Sequence, residues 1–504
     1  MTEEIVSYGV LSLIPAILAV VLAFWTKNVI ISLMASLFVG CLITAGWNPW
    51  NAMQVMFSDH LFVDMTGSSN AQTIIMMSFV GGFVALIEAT GGAKAAAIAN
   101  KVHRRSTAQT TAWLGGLAIF FSDSGNSLIL GPIFRPIFDR LRISRAKLAY
   151  ILDSTSSPVC ILVPITGWGV YIMGIIATEF ENLGIQTSDA SAFVQAIPYQ
   201  FYALLALVLV PLIALSKRDF GPMAKFEAYV LENGPTTAEL EADKSIVQSE
   251  NASKATAWEM IIPLLVMFVT IFVMFIGWGF PGQNIPGSKI RIALTSGYML
   301  ATIVLAIMVI VKKIMTFTEV VDTWVSGIKK MAGILAIIIA AWGVGSVCTA
   351  LGTSQFVVDC TIGFLSPALV PALLFIIGAV ISFATGTSWG TMAILLPLGI
   401  NMAYGFGVSE AITIAAVLSG SLFGDHCAPI SDTTVMSSMA GGCNHIDHVR
   451  TQIPYALLAA VASFIAYLIV GVTQMAAGIA LPVALAILAV LFLLAARLFG
   501  KKIA

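Results

Sequence analysis

An all-α polytopic membrane protein made of two inverted repeats is the fold class this sequence predicts, from its composition, the spacing of its apolar runs and the placement of its basic residues. Hydrophobic residues make up 58% of the 504 and charged ones only 10%, with a mean hydropathy of +0.95, which excludes a water-soluble domain. The formal net charge of −1 is spread over loops and offers no basic face for nucleic acid. Six cysteines, at 41, 160, 348, 360, 427 and 443, lie mostly in apolar stretches without disulfide or zinc spacing and read as small hydrophobes. Thr2, Glu3 and Glu4 open the chain with no basic n-region, so the first apolar run reads as a span and not as a removable signal.

A bilayer core of about 30 Å takes roughly 20 apolar residues per helix. Such runs fall near 8–26, 28–46, 71–90, 147–178 and 199–216, then, after a polar stretch at 217–256, near 257–279, 291–311, 331–350, 409–440, 452–474 and 476–499. Two long segments, 107–140 and 367–404, do not fit single spans. Lys and Arg collect on the cytoplasmic side of short loops. Segment 107–140 has Lys101, Arg104 and Arg105 before it and Arg140, Arg142, Arg145 and Lys147 after it, so it reads as a hairpin that enters from the cytoplasmic face and returns. Segment 367–404 lies in a stretch from Met331 to Val449 without Lys or Arg and reads as a hairpin from outside. Tracing the remaining runs puts the N-terminus outside and the C-terminus in the cytoplasm, with Lys289 and Arg291 alone of the 25 basic residues outside.

Each half then carries five crossings, an amphipathic arm and a re-entrant hairpin, and an odd number of crossings inverts the second copy relative to the first. The boundaries are 1–216 for the first repeat, 217–256 for a cytoplasmic linker, 257–475 for the second repeat and 476–504 for an extra C-terminal helix. Trp50, Met53, Phe57 and Leu61 in one arm, and Phe317, Val320, Val321, Trp324 and Ile328 in the other, recur at helical spacing and are expected along the interface. Phe121-Ser-Asp-Ser-Gly-Asn-Ser in the first hairpin echoes Phe383-Ala-Thr-Gly-Thr-Ser-Trp in the second, and Pro164-Ile-Thr echoes Pro429-Ile-Ser. The linker, with Glu227, Glu232, Glu239, Glu241 and Asp243, reads as a bridge.

Backbone that leaves the helix at membrane depth is tolerated only where protein or a water-filled cavity surrounds it, so the hairpin tips and interrupted helices mark the site. The tips, Ser122 to Ser127 and Thr385 to Thr391, combine glycines with the oxygen ligands a hard cation requires. Pro158 and Pro429 interrupt the other two elements and free carbonyls. Even the lowest scale assigns an Asp at mid-bilayer a cost of about 2.5–3.5 kcal/mol. The candidate ion-binding residues are therefore Asp123, Asn126, Asp153, Ser154, Thr155, Thr385, Thr387, Ser388, Asp425, Asp432 and Thr433, with Asp123, Asn126, Asp153, Thr387 and Ser388 the sodium candidates and Asp153, Asp425 and His426 the proton-coupling candidates.

Plainer roles stand beside these. Asp123 could cap a helix, Asp425 and Asp432 could pair with Arg450, and His426 could be a satisfied core histidine. Trp389 reads as packing and Glu88 as a solvated partner of Lys94. Cys443-Asn-His-Ile-Asp-His448 reads as a loop and not as a metal cluster. No nucleophile, metal triad or phosphate loop stands at one depth, which argues against an enzyme, and no cofactor is expected beyond a transported or coupling sodium ion.

Gly386-Thr-Ser-Trp-Gly-Thr391 and Phe423-Gly-Asp-His-Cys-Ala-Pro-Ile-Ser-Asp-Thr-Thr434, followed by Asn444-His-Ile-Asp-His-Val-Arg-Thr-Gln-Ile-Pro454, resemble the signatures of NhaC-type sodium/proton antiporters. Gly131-Pro-Ile-Phe-Arg-Pro136 and Asp139 to Thr155 resemble the same family, so the match covers most of the membrane region. The resemblance implies the ion-transporter superfamily, a bacterial inner-membrane location, a homodimer, and elevator-like exchange of sodium for protons at the tips and broken helices. The family pattern has an acidic pair and an aromatic at the first tip, where this chain reads Ser122-Asp-Ser-Gly-Asn126. The wider family also resembles sodium-coupled carriers of amino acids and small carboxylates, which is the alternative function.

Overall fold

The computed structural model describes residues 8–26, 28–90, 102–235, 256, 258–279, 286–353, 356, 366–429 and 431–502. Lys27, Lys94, Lys101, Cys360 and residues 236–255 of the linker lie outside the described residues.

The chain is helical almost throughout. In the first half α1 (Ile14–Thr26) and α2 (Val29–Thr44) lead into an arm, α3 (Pro49–Thr66), which turns by 113° from α2. Asn48 caps the arm by accepting from Trp50 and Asn51 N–H, and Pro49 sits at its first turn where no N–H is needed. Then come α4 (Ser68–Thr90), α5 (Arg105–Ala118), α6 (Asp123–Arg140), α7 (Arg145–Thr155), the single turn α8 (Ser157–Cys160), α9 (Gly167–Leu183), α10 (Asp189–Ala196) and α11 (Phe201–Ser216). A short helix, α12 (Gly221–Asn233), opens the linker. The second half runs α13 (Trp258–Gly277), α14 (Gly287–Val311), α15 (Phe317–Ala350), α16 (Val370–Thr385), α17 (Ser388–Phe406), α18 (Glu410–Cys427), α19 (Asp432–Gly441), α20 (His445–Thr473) and α21 (Ala477–Leu498). Arg218–Asp219 and Lys501–Lys502 form a two-residue antiparallel pair that ties the linker to the C-terminal end.

Among the described residues seven helices are long and apolar enough to cross a membrane, or up to ten if each bent pair counts as one span. The chain is a multi-pass membrane protein. Both segments read as hairpins fold as helix–turn–helix. The first turns at Ile119–Ser122, and the second at Gly386–Thr387, where Gly386 takes φ +69°, a conformation that side chains disfavour. Each returning helix begins with a hydroxyl cap: Ser122 Oγ accepts from Gly125 N–H at 2.9 Å and Thr387 Oγ1 from Gly390 N–H at 3.5 Å.

The arms differ from expectation in two ways. In the second half the arm and the following span form one continuous helix, α15, because nothing between Phe317 and Ala350 plays the part of Gly67, whose extended ψ of 129° ends the first arm. Moreover, while Trp50, Met53, Phe57, Phe317 and Val321 are exposed, Leu61 and Val320 turn inward and are buried. The linker also departs from a plain bridge over its described part. Glu227 on α12 is fully buried, ion-paired with Arg105 and accepting from Ser144 N–H at 2.8 Å.

Glycines set the closest helix crossings. A Cβ on Gly420 or Gly424 of α18 would meet the carbonyls of Phe375 and Ala379 on α16, one on Gly131 of α6 would meet that of Ala440 on α19, and one on Gly116 of α5 would meet Thr155 on α7. Within lipid no hydrophobic force drives helices together, so such small residues allow the dispersion contacts that do. Helices α2, α4, α13, α14 and α15 pack as one group. The hairpins, broken helices, α11 and α20 pack as a second, and α9 touches both.

Candidate functional site

The two hairpin tips open onto one cavity of about 480 Å³. Ser122 and Asp123 line it from the first tip, Gly386, Thr387 and Trp389 from the second, and Asp425, Asp432 and Thr433 from the second broken helix. Glu88 of α4 and Lys330 of α15 complete its charged lining.

The carboxylates are positioned by specific partners. Trp168 Nε1 donates to Asp123 Oδ2 at 3.0 Å. Trp168 in turn packs on Trp389 with ring centroids 4.7 Å apart, and Tyr171 OH donates to the Trp389 carbonyl at 2.8 Å. Trp389 is thus packing, as expected, but packing that joins the two tips. Asp425 is buried and accepts from Ser388 Oγ at 2.7 Å. Asp432 and Thr433 stand at the start of α19, Asp432 exposed and Thr433 hydrogen-bonded to Ser431 Oγ at 3.0 Å. Arg450, the plainer partner for these acids, is exposed and has no ion pair with either.

Glu88 is a correction. Its expected partner Lys94 lies outside the described residues, and instead of standing solvated Glu88 is a cavity carboxylate that accepts from Ser122 Oγ at 2.7 Å and lies 3.7 Å from Lys330 Nζ. It puts a second acid beside the first tip, where the family pattern has a pair and the tip itself has one. An acid inside the apolar run 71–90 was the signal for it, by the same rule that selected the aspartates.

Asp153 does not line that cavity; it lies at the centre of a separate buried network. Gln452 Nε2 donates to its Oδ2 at 2.6 Å and Ser437 Oγ to its Oδ1 at 3.3 Å, while Nε2 of His426 and of His448 each lie 3.8 Å from Oδ2. Gln452 also donates to the His426 carbonyl and meets His448 Nε2 through its Oε1 at 2.8 Å. His426 Nδ1 is hydrogen-bonded to Tyr202 OH at 2.7 Å, and its Nε2 lies 3.5 Å from Ser154 Oγ. Sequence reading selected Asp153 and His426 but not Gln452, Tyr202 or His448 as their partners, because neutral polar groups stand out only once a charge is seen beside them.

The other candidates have local tasks. Asn126 Nδ2 donates to the carbonyls of Gly116 (2.7 Å), Ile119 (3.1 Å) and Thr155 (3.0 Å), clipping the first hairpin to the first broken helix, and its buried Oδ1 has no partner. Thr155 and Thr385 hydroxyls donate back to the Ile151 and Ile381 carbonyls of their own helices. The Pro429 carbonyl accepts from His445 Nε2 at 2.6 Å. Among the described residues no group of three or more His, Cys, Asp or Glu could hold a metal ion, the Cys443–His448 stretch included.

Apolar helices interrupted along their length, with both hairpin turns on one acid-lined cavity, are the features of a polytopic secondary transporter. The Na+/H+ antiporter family model matches residues 159–472, and the chain belongs to that family. It is 32% identical to an uncharacterized protein of Haemophilus influenzae over 93% of this chain and 92% of that one. It is 34% identical to the malate-2H(+)/Na(+)-lactate antiporter of Bacillus subtilis over 21% of this chain and 23% of that one, and 26% identical to the Na(+)/H(+) antiporter NhaC of Alkalihalophilus pseudofirmus over 31% and 33%. Among solved structures the YdaH transporter of Alcanivorax borkumensis matches with a TM-score of 0.61 at 14% identity, over 85% of this chain and 90% of that one, a likeness of fold.

Proposed function

We propose that this protein exchanges sodium ions for protons across the bacterial inner membrane, with the N-terminus outside and the C-terminus in the cytoplasm. The observation that carries this reading is the single cavity shared by both hairpin tips and lined by Glu88, Asp123, Asp425 and Asp432. In a low-dielectric site a carboxylate holds either a proton or a cation, so one oxygen cluster serves both by competition. Asp425 takes this role at the cavity, and Asp153 behind it. His426, adjacent to Asp425 in sequence, has its Nε2 3.8 Å from Asp153 Oδ2. Orphaned buried oxygens, Asn126 Oδ1 and Ser157 Oγ, are further donors suited to sodium as cargo.

The two packing groups support an elevator-like motion in which the hairpins and broken helices move against α2, α4, α13, α14 and α15, as two inverted repeats and as a homodimer. Proteoliposomes carrying an internal pH dye test the exchange: a sodium gradient drives a pH change, and its absence from pH 6 to 9 with purified, folded protein refutes the proposal.

A sodium-coupled organic solute carrier is the second reading. The cavity is far larger than an ion and brings Lys330 and Trp389 beside the acids, and one relative is named for malate and lactate. A solute at a hundred times its dissociation constant raises stability by about 2.7 kcal/mol. A thermal-shift screen of amino acids and dicarboxylates that shows such a rise favours this reading, and a flat screen with a sodium-dependent shift favours exchange.

A further inference from the structure

A second cavity, of about 310 Å³, lies at the opposite end of α5 from the first hairpin tip, between the start of α5, the end of α11 and helix α12. Its lining includes Arg104, Arg105, Ser106, Gln109 and Lys217. Two acids also face it, and both are already neutralised. Asp219 is ion-paired with Lys147 and accepts from Tyr455 OH at 2.6 Å, and Glu227 is ion-paired with Arg105 and accepts from Ser144 N–H. Arg104 and Lys217 have no ion pair or side-chain hydrogen bond.

The donors converge. Arg104 is the N-cap of α5 and supplies no side-chain cap, so the first-turn amides of this 14-residue helix point at the cavity end without a side-chain acceptor. One turn further along, Gln109 is 92% buried, taking its 8% exposure, and its amide has no hydrogen-bond partner although it lines the cavity. A side chain at this position leans back toward the N-terminal turn, so a buried amide and the helix end face the same space. The amide is reached from the cavity and so is open to a ligand that enters it. Leu215, at the end of α11 two residues before Lys217, is 67% exposed, which places an exposed apolar edge next to the cationic one.

We infer that this cavity binds a phosphate-bearing anion through Arg104, Lys217, the Gln109 amide and the first turn of α5. A helix N-terminus flanked by cations is an anion site, and the adjoining apolar edge suits the headgroup of an anionic phospholipid. Bound there, the anion bridges the first hairpin to the linker.

The test uses the full chain in detergent, titrated with phosphatidylglycerol, with phosphatidylcholine and with inorganic phosphate, and read by native mass spectrometry and thermal shift. Arg104→Ala with Lys217→Ala is the main variant, because both side chains lack ion pairs and neither touches the transport site; Gln109→Leu is the second. The expected result is preferential retention of phosphatidylglycerol, weakened about twenty-five-fold in the double variant at about fivefold per cation, and weakened also by Gln109→Leu. If inorganic phosphate binds with the same variant sensitivity and the lipid does not, the anion is soluble. If the variants bind phosphatidylglycerol and phosphate as the parent does, or neither ligand binds the parent, the inference is overturned. Sodium-driven exchange is measured in parallel, so a failure of that activity is distinguishable from a failure of this site.

Discussion

At the scale of single residues, the structure separates carboxylates that face the cavity from one that is sealed behind it. Asp425 accepts from Ser388 Oγ and lines the cavity, so Asp425→Asn should abolish sodium-driven pH change while leaving the fold intact, since an amide oxygen still accepts that bond. Circular dichroism and size-exclusion chromatography check the second half of that statement. Asp153 lies where Gln452, Ser437 and two histidines converge, and Gln452→Leu should therefore lower exchange by removing a donor from it, with Gln452→Asn recovering less than the parent because the shorter side chain cannot span to His448. Elsewhere a charge pair is structural. Arg291 is ion-paired with Asp189 with both side chains buried, and removing one partner of such a pair costs about 3–5 kcal/mol. Arg291→Ala should lower the thermal midpoint accordingly, whereas a solvated Arg291 would leave it unchanged.

At the scale of elements, the motifs that carried the family resemblance divide between chemistry and assembly. Asp425 lines the cavity, and Ser388 holds it there by a hydrogen bond. Arg135 and Arg145, from the first-half motifs, instead hold the end of α19: Arg135 Nε donates to the Ala440 carbonyl at 2.7 Å, and Arg145, paired with Asp139 at 2.8 Å, lies 3.4 Å from the Gly442 carbonyl. These cations satisfy carbonyls that a helix end leaves open. Sequence position alone could not show that, because donor and acceptor are some three hundred residues apart. The Gly116 crossing gives an element-scale prediction. Gly116→Val forces a branched side chain into Thr155, and overpacking of this kind costs about 1–3 kcal/mol. Because Asn126 clips the same junction, exchange should fall along with thermal stability, while Gly478→Ala, on α21 with open space around it, should leave exchange near the parent value.

At the scale of the whole molecule, α9 packs against both groups and α15 packs directly on the second hairpin helix α17, so relative motion of the groups must slide along these contacts. A Cβ on Gly167, at the start of α9, would stand 3.5 Å from Val80 Cγ1 on α4, a direct contact between the two positions that a cross-link can hold. Gly167→Cys with Val80→Cys should stop exchange under oxidising conditions and regain it with reductant if the groups move, and exchange unaffected by a proven cross-link would refute the elevator proposal. Glu88 makes the same boundary chemical, since it reaches from α4 to the Ser122 hydroxyl at the first tip. Glu88→Gln should accordingly alter the sodium concentration needed for half-maximal exchange more than the maximal rate.

The sequence by itself determined the solvent, the helices and the position of the breaks, because these follow from local quantities: apolar run length, glycine and proline placement, and the cost of an aspartate in lipid. It also selected Asp123, Asp153 and Asp425 on that ground. Only the tertiary structure decided which of these share a cavity, that Glu88 and Lys330 join them, that Asp153 belongs to a buried network with Gln452 and His448, and that Glu227 lies buried against Arg105. Those are pairings between residues distant along the chain, and a local pattern can assign a residue its depth but not its neighbour.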